Sequence, residues 1–160
     1  MVFINLLWTI ESEAKGSSNA VILEDTTERV DLYPHMDMMK DREREITIND
    51  VISSEYQEKF VPSEKIVQKP GFFETGNWLR FEINNRSNER DWLLELAFPL
   101  VYEIEVFMET EDGIELLFEG GAVTHPFYER EIIHRNFVFD LTIPLLASFF
   151  LSLTDYDLYR

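Results

Sequence analysis

From Trp78 onward the apolar residues of this chain recur at every second position. Leu79, Phe81 and Ile83 point one way while Trp78, Arg80 and Glu82 point the other, the period of a strand with one buried face. After the polar stretch Asn84 to Asp91, Trp92, Leu94, Leu96 and Phe98 alternate with Leu93, Glu95 and Ala97, which predicts a strand buried on both faces and therefore central in its sheet. Beyond Pro99, Tyr102, Ile104, Val106 and Met108 alternate with Glu103, Glu105, Phe107 and Glu109, an apolar-in, acid-out pattern. Asp112-Gly113 predicts a two-residue hairpin loop of type I′, because that dipeptide tolerates the positive φ values the turn requires; Ile114, Leu116 and Phe118 are expected to carry the same apolar face onto the return strand. Phe137, Phe139 and Leu141 align on a further strand and Phe149, Leu151 and Leu153 on a last one, parted at Pro144. Short strands at this spacing predict an all-β, antiparallel, jelly-roll-like β-sandwich.

The N-terminal half is less regular. Val21-Ile22-Leu23 predicts a short strand without a legible partner, and Glu24 to Arg29 a polar break. Asp31 to Glu45 carries Pro34, three methionines and no period, and predicts irregular chain with one helical turn. Thr47 and Asp50 have capping-box spacing ahead of the apolar stripe Ile48, Val51 and Ile52, so a short N-terminal helix is expected from Ile48 to about Ser54. Phe60-Val61-Pro62 ends that segment and Lys69-Pro70-Gly71 marks a turn. Val2 to Trp8 is apolar but meets Glu11 and Glu13 well short of the roughly 18 residues a spanning helix needs. With the small residues Gly16 to Ala20 behind it, 1–20 reads either as a signal-peptide remnant or as a disordered terminus; 21–160 reads as one domain with its core sandwich at 76–154.

Composition narrows the function. An apolar fraction of 45% with 13 phenylalanines can fund a packed core. Fourteen basic against 31 acidic residues give a net charge of -17, a field that repels phosphate backbones and anionic membrane surfaces, so no nucleic-acid partner is expected. The chain has no cysteine, which excludes disulfides, thiolate metal sites and cysteine nucleophiles. It also has no Gly-x-Ser-x-Gly elbow, no phosphate-cradling glycine loop and no His-Glu-x-x-His pair. The reading is of a protein that is not an enzyme, with no cofactor and no metal.

Six residues are candidates for ligand contact. Trp78 shares its strand face with Arg80 and Glu82, either a flat apolar platform beside hydrogen-bonding groups, as a carbohydrate site uses, or ordinary packing under the N-terminal segment. Gly120-Gly121 opens a long connection, too polar and interrupted for a core strand, that holds His125, Arg130, His134 and Arg135. Its two guanidinium groups can fork onto ligand hydroxyls or carboxylates, or can lock the loop through internal pairs. His125 and His134 with Glu129 and Glu131 suggest imidazole and carboxylate ligands, but without the spacing that converges two rings on a metal. His35 lies in the irregular segment with no partner that sequence can name. Asn85-Arg86-Ser87 matches a glycosylation acceptor, a pattern frequent by chance.

Three stretches, WLRFEINN from Trp78, WLLELAFPLVYEIEVF from Trp92 and THPFYEREIIHRNFVFDL from Thr124, with ITINDVISSEYQEKFVP from Ile46 ahead of them, together resemble the second type of extracellular domain of bacterial seven-transmembrane receptors with diverse intracellular signalling modules. Pro126-Phe127, Arg130 and His134-Arg135-Asn136-Phe137 are the most specific part of that likeness. The resemblance covers roughly 21–153 and implies a jelly-roll-like sensor displayed on the extracellular or periplasmic side of the cytoplasmic membrane, binding a small ligand of carbohydrate type without catalysis. The alternative is a protein-interaction or structural sandwich with no small-molecule ligand. In such receptors the membrane is reached through seven helices; this chain stops at Arg160 without them, and so reads as an isolated ectodomain, a truncated product or an engineered fragment. DYDLYR at its end lacks an apolar continuation, so the last strand is expected to be incomplete.

Overall fold

In the computed structural model, which describes residues 2–6, 20–63, 76–97, 101–122 and 124–154, two sheets face each other across one core. The turn at Lys69-Pro70-Gly71, the Phe98-Pro99 punctuation, the small residues from Gly16 to Asn19 and the DYDLYR tail lie outside the described residues, Asp155 onward in the last case. In chain order the strands are β1 (Val2–Leu6), β2 (Val21–Leu23), β3 (Arg29–Asp31), β4 (Asp37–Asp41), β5 (Val61–Pro62), β6 (Gly76–Asn85), β7 (Asp91–Leu96), β8 (Glu103–Thr110), β9 (Gly113–Gly120), β10 (Phe137–Thr142) and β11 (Leu146–Thr154). One sheet runs β10-β7-β1-β3. The other runs β5-β4-β6-β11-β8-β9, with β2 beside the far half of β6. Pairing is antiparallel except where β1 meets β3 and β7 and where β2 meets β6.

The alternation from Trp78 onward fills the core as expected. Leu79, Phe81 and Ile83 of β6, Trp92, Leu94 and Leu96 of β7, Phe137 and Leu141 of β10, and Phe149, Leu151 and Leu153 of β11 are all buried between the sheets. β7 is central and Leu93, on its other face, is also buried. Burying a side chain of this size stabilises by about 2 kcal/mol, so the interleaved aromatic and leucine rows outweigh any local propensity.

Several expectations change. The chain from Asp31 to Glu45 contains a single 3-10 turn, Tyr33–His35, followed by a true strand, β4, in which all but Lys40 are buried and both faces carry buried methionines; with no β-branched residue and no alternation of apolar and polar it shows no period to read. The core therefore begins upstream of 76, with Val21, Leu23, Leu32, Met36 and Met38 packed into it. Val2–Leu6, in the stretch read as a leader or frayed end, runs as a strand between β3 and β7. The β8–β9 hairpin forms, but its loop is Glu111–Asp112, because Thr110 pairs with Gly113. The left-handed residue is Gly113 (φ 126) and Asp112 has no positive φ, so the turn is not type I′. A bulge between Val106 and Phe107 then splits the apolar face of β9: Phe118 packs into the main core while Ile114 packs on the outside of the sheet.

That outer face carries a second apolar cluster. Trp78, Phe107 and Phe150 lie across β6, β8 and β11 and are covered from outside by Val51, Phe60 and Tyr56. The cover is built from two one-turn helices, α1 (Ile48–Val51) and α2 (Ser54–Gln57), in place of one helix to Ser54. Thr47 caps α1 in a reciprocal box with Asp50, whose carboxyl is held below its ordinary pKa by the Thr47 hydroxyl and backbone N–H. No helix of the described residues is long and apolar enough to cross a membrane.

Candidate functional site

The connection from β9 to β10 runs over the open side of the sandwich, since β9 and β10 are edge strands of opposite sheets. Its start is pressed against β8: a Cβ on Gly121 would collide with the Tyr102 carbonyl, so only glycine fits there. His125 N–H donates to the Gly121 carbonyl (2.8 Å), and Phe127–Glu129 form a single 3-10 turn.

Arg130 organises the loop. Its Nε donates to the His125 carbonyl at 2.8 Å, and one Nη donates to the carbonyls of Arg135 (3.2 Å) and, more weakly, His134 (3.4 Å). The guanidinium lies 3.6 Å above the Phe137 ring. One side chain thus ties both ends of the loop to the first residue of β10. Burial pushes its pKa down from the ordinary arginine value, which still leaves it charged at neutral pH. The internal lock anticipated for Arg130 is present, made to backbone carbonyls where a carboxylate partner had been expected. The far end is anchored by two residues outside the six ligand-contact candidates. Buried Asn136 donates its side-chain amide to Glu95 Oε1 on β7 (2.6 Å), and Glu95 also lies 3.9 Å from Arg29 of β3 and 4.0 Å from His134 Nδ1. His134 Nδ1 accepts the Asn136 backbone N–H (3.2 Å).

Two hollows flank His125. One, of about 260 Å³, lies between β9 and β10 under the loop, with Phe118, Phe137 and Phe139 inside and Arg130, Glu129 and Glu131 at its rim. The other, of about 570 Å³, lies on the outer face of β8, β9 and β11 and is polar: Glu103, Glu105, Glu119, Ser152 and Thr154 line it with Thr124. The His125 ring borders both, its centroid 5.4 Å from that of Phe118 in an edge-on arrangement and its Nδ1 3.1 Å from the Thr124 hydroxyl. Among the described residues no three His, Asp or Glu side chains converge as a metal site would require.

In the polar hollow Glu105 sits directly opposite Glu119. Burial first, and the charges of Glu119 and Glu103 next, raise its pKa above the ordinary carboxylate value. The folded state therefore holds a proton here more tightly than the unfolded chain does, so this group's destabilisation is present at neutral pH and fades as pH falls through the raised pKa. Glu105→Gln is expected to raise the melting temperature at pH 7, by a like-charge effect of about 0.5 kcal/mol, and to lose that advantage toward pH 4; thermal melts across that range check it.

Trp78 and Arg80 do not join this site. The Trp78 indole is 1% exposed and stacks on Phe107 (centroids 6.0 Å) beneath α1 and α2, so the platform face is taken up by protein. Arg80 pairs with buried Asp37 (2.5 Å), donates to the Gln57 side chain and lies 4.4 Å over the Phe60 ring. Both serve the packing alternative. The two halves of the expected site approach only through backbone, Trp78 lying opposite Ser152 of the polar hollow. His125 and Arg130 line the hollow beneath the loop; His134 at the loop's foot and Arg135 are both exposed, and Arg135 lends its carbonyl to Arg130.

Compared with known families, residues 33–156 match the model described as 7TMR-DISM extracellular 2. No curated protein matches the chain.

Proposed function

The chain belongs to the 7TMR-DISM extracellular 2 family, extracellular sensor domains of seven-transmembrane receptors, and from that membership we propose that it binds a carbohydrate-like small molecule, without turnover, at the two hollows flanking His125. In the parent receptor the domain stands outside the cytoplasmic membrane. The observation that carries the ligand reading is the juxtaposition at His125: an aromatic hollow of phenylalanines on one side, and carboxylates and hydroxyls on the other. A neutral polyhydroxylated ring offers both an apolar face and a ring of donors, and the carboxylates suit donors better than anions. His125 and Arg130 are assigned to the site, with His134 and Arg135 at its edge. Trp78 and Arg80 are assigned to support. The absence of a catalytic signature in the chain agrees with recognition in place of chemistry.

Calorimetric titration of a panel of neutral mono- and disaccharides is expected to find a saturable 1:1 binder. Arg130→Lys should weaken it at least tenfold, because an ammonium cannot keep the fork to the separated carbonyls that shapes the loop. A silent panel would defeat the ligand assignment. Equal binding by wild type and Arg130→Lys would remove the loop from the site.

A further inference from the structure

One ring nitrogen at the foot of the β9–β10 connection has two partners within range. His134 Nδ1 accepts the backbone N–H of Asn136 at 3.2 Å, immediately ahead of β10. The same nitrogen lies 4.0 Å from Glu95 Oε1, the oxygen that accepts the Asn136 side-chain amide at 2.6 Å. Nδ1 can accept only as a bare lone pair, with the ring neutral and its proton on Nε2. A protonated Nδ1 becomes a donor. It then meets the Asn136 N–H donor against donor, while a carboxylate oxygen waits just beyond hydrogen-bond reach.

The same three residues thus have two arrangements, and the charge of the ring selects between them. With the ring neutral, Asn136 is tied through its backbone to His134 and through its side chain to Glu95. With the ring charged, His134 donates to Glu95 and the Asn136 N–H loses its acceptor. Asn136 is only 6% exposed, so a freed N–H there is costly until the chain entering β10 shifts. Charged groups around the ring come from three elements: Glu95 from β7, Arg29 from β3 (3.9 Å from Glu95 Oε2), and Arg130 and Arg135 from the loop. The Glu95 side chain is 14% exposed, which limits screening of the pair, and the His134 side chain is 45% exposed, which opens the ring to solvent protons. An imidazole ordinarily changes charge near about pH 6.5, where ordinary carboxylates stay ionised.

We propose that His134, Glu95 and Asn136 form an acid-sensitive latch on the Gly120–Asn136 loop, in which protonation moves Nδ1 from the Asn136 N–H to Glu95 and frees the entry to β10. The movement reaches the loop through Arg130, whose Nη donates to the His134 and Arg135 carbonyls while the guanidinium covers Phe137. In the parent receptor the domain stands outside the cytoplasmic membrane, so the ring meets the pH of the surroundings. The latch needs no ligand and is independent of the carbohydrate reading.

NMR of the full chain from about pH 7.5 to about pH 5 tests it. Imidazole nitrogen shifts of His134 are expected to show the Nε2–H tautomer at the upper end. On acidification, protection of the Asn136 amide against exchange, referred to its intrinsic rate at each pH, should fall at least tenfold with the midpoint of the His134 titration. The Glu95 carboxyl carbon should shift with that same midpoint, while amides of β6 and β11 keep their protection. His134→Asn places a non-titrating oxygen where it can accept the same N–H, and should make the Asn136 amide insensitive to pH. Unchanged protection across the His134 titration would overturn the proposal, and so would an Nδ1–H tautomer at the upper end. A fall shared by β6 and β11, or one that persists in His134→Asn, would overturn it as well, because it would mark general unfolding or a different titrating group. The wild-type spectra carry the decisive readings, so the test holds even if the variant does not fold.

Discussion

Replacing Trp78 by alanine is expected to destabilise the protein by about 4 kcal/mol, the largest effect of any substitution at the residues considered for ligand contact. The indole is 1% exposed and is the central member of the outer cluster, touching the layer formed by Val51 and Phe60 on one side and stacking on Phe107 on the other. Its removal leaves a cavity that α1 and α2 cannot close, because their cover is only two single helical turns fixed by the chain ahead of Phe60. Trp78→Phe should cost far less, about 1 kcal/mol: it keeps most of the ring contact and removes an indole N–H that is buried without a hydrogen-bond partner. Urea titrations of the two variants measure the contrast. A Trp78→Ala protein with unchanged midpoint and lost ligand binding would restore the platform reading.

Arg80→Ala should come next, at about 3 kcal/mol. The substitution takes from Asp37, whose side chain is 5% exposed, the guanidinium that lies 2.5 Å from it. It also strips the cation from the Phe60 ring and the donor from Gln57, loosening the junction between β4, β6 and α2. Most of the loss comes from a buried carboxylate deprived of its cation, not from the pair itself. Asp37→Asn in the Arg80→Ala background should therefore recover a large share, whereas simple additivity of the two single losses would show that the pair carries no special coupling.

These two side chains also show how far sequence carries the fold and where it stops. The period-two rows in β6, β7, β8, β10 and β11 are legible because each strand has one face committed to the main core, and alternation is the direct record of that commitment. Trp78 and Phe107 break the polar face of their strands, and alternation alone cannot tell whether such a ring meets solvent, ligand or another layer; here α1 and α2 supply the layer. β4 was illegible for the opposite reason, being buried on both faces and lacking β-branched residues. The bulge in β9 was illegible because Ile114, Leu116 and Phe118 keep strict spacing in sequence while the extra residue, Leu117, reverses the facing between them. At the site, the loop and Arg130 could be chosen from sequence because cations are scarce in so acidic a chain. Glu95, Asn136 and the Glu105–Glu119 pair could not, since only the register of β7 against β10 and of β8 against β9 brings them into place.

The most direct test is amide hydrogen exchange on the intact chain, with and without a saturating neutral saccharide from the panel. Binding at the His125 hollows predicts slowed exchange in the Gly120–Asn136 loop and in the adjoining ends of β9 and β10, with none in α1 and α2. A panel without a binder, or protection confined to α1 and α2 above Trp78, would contradict the assignment.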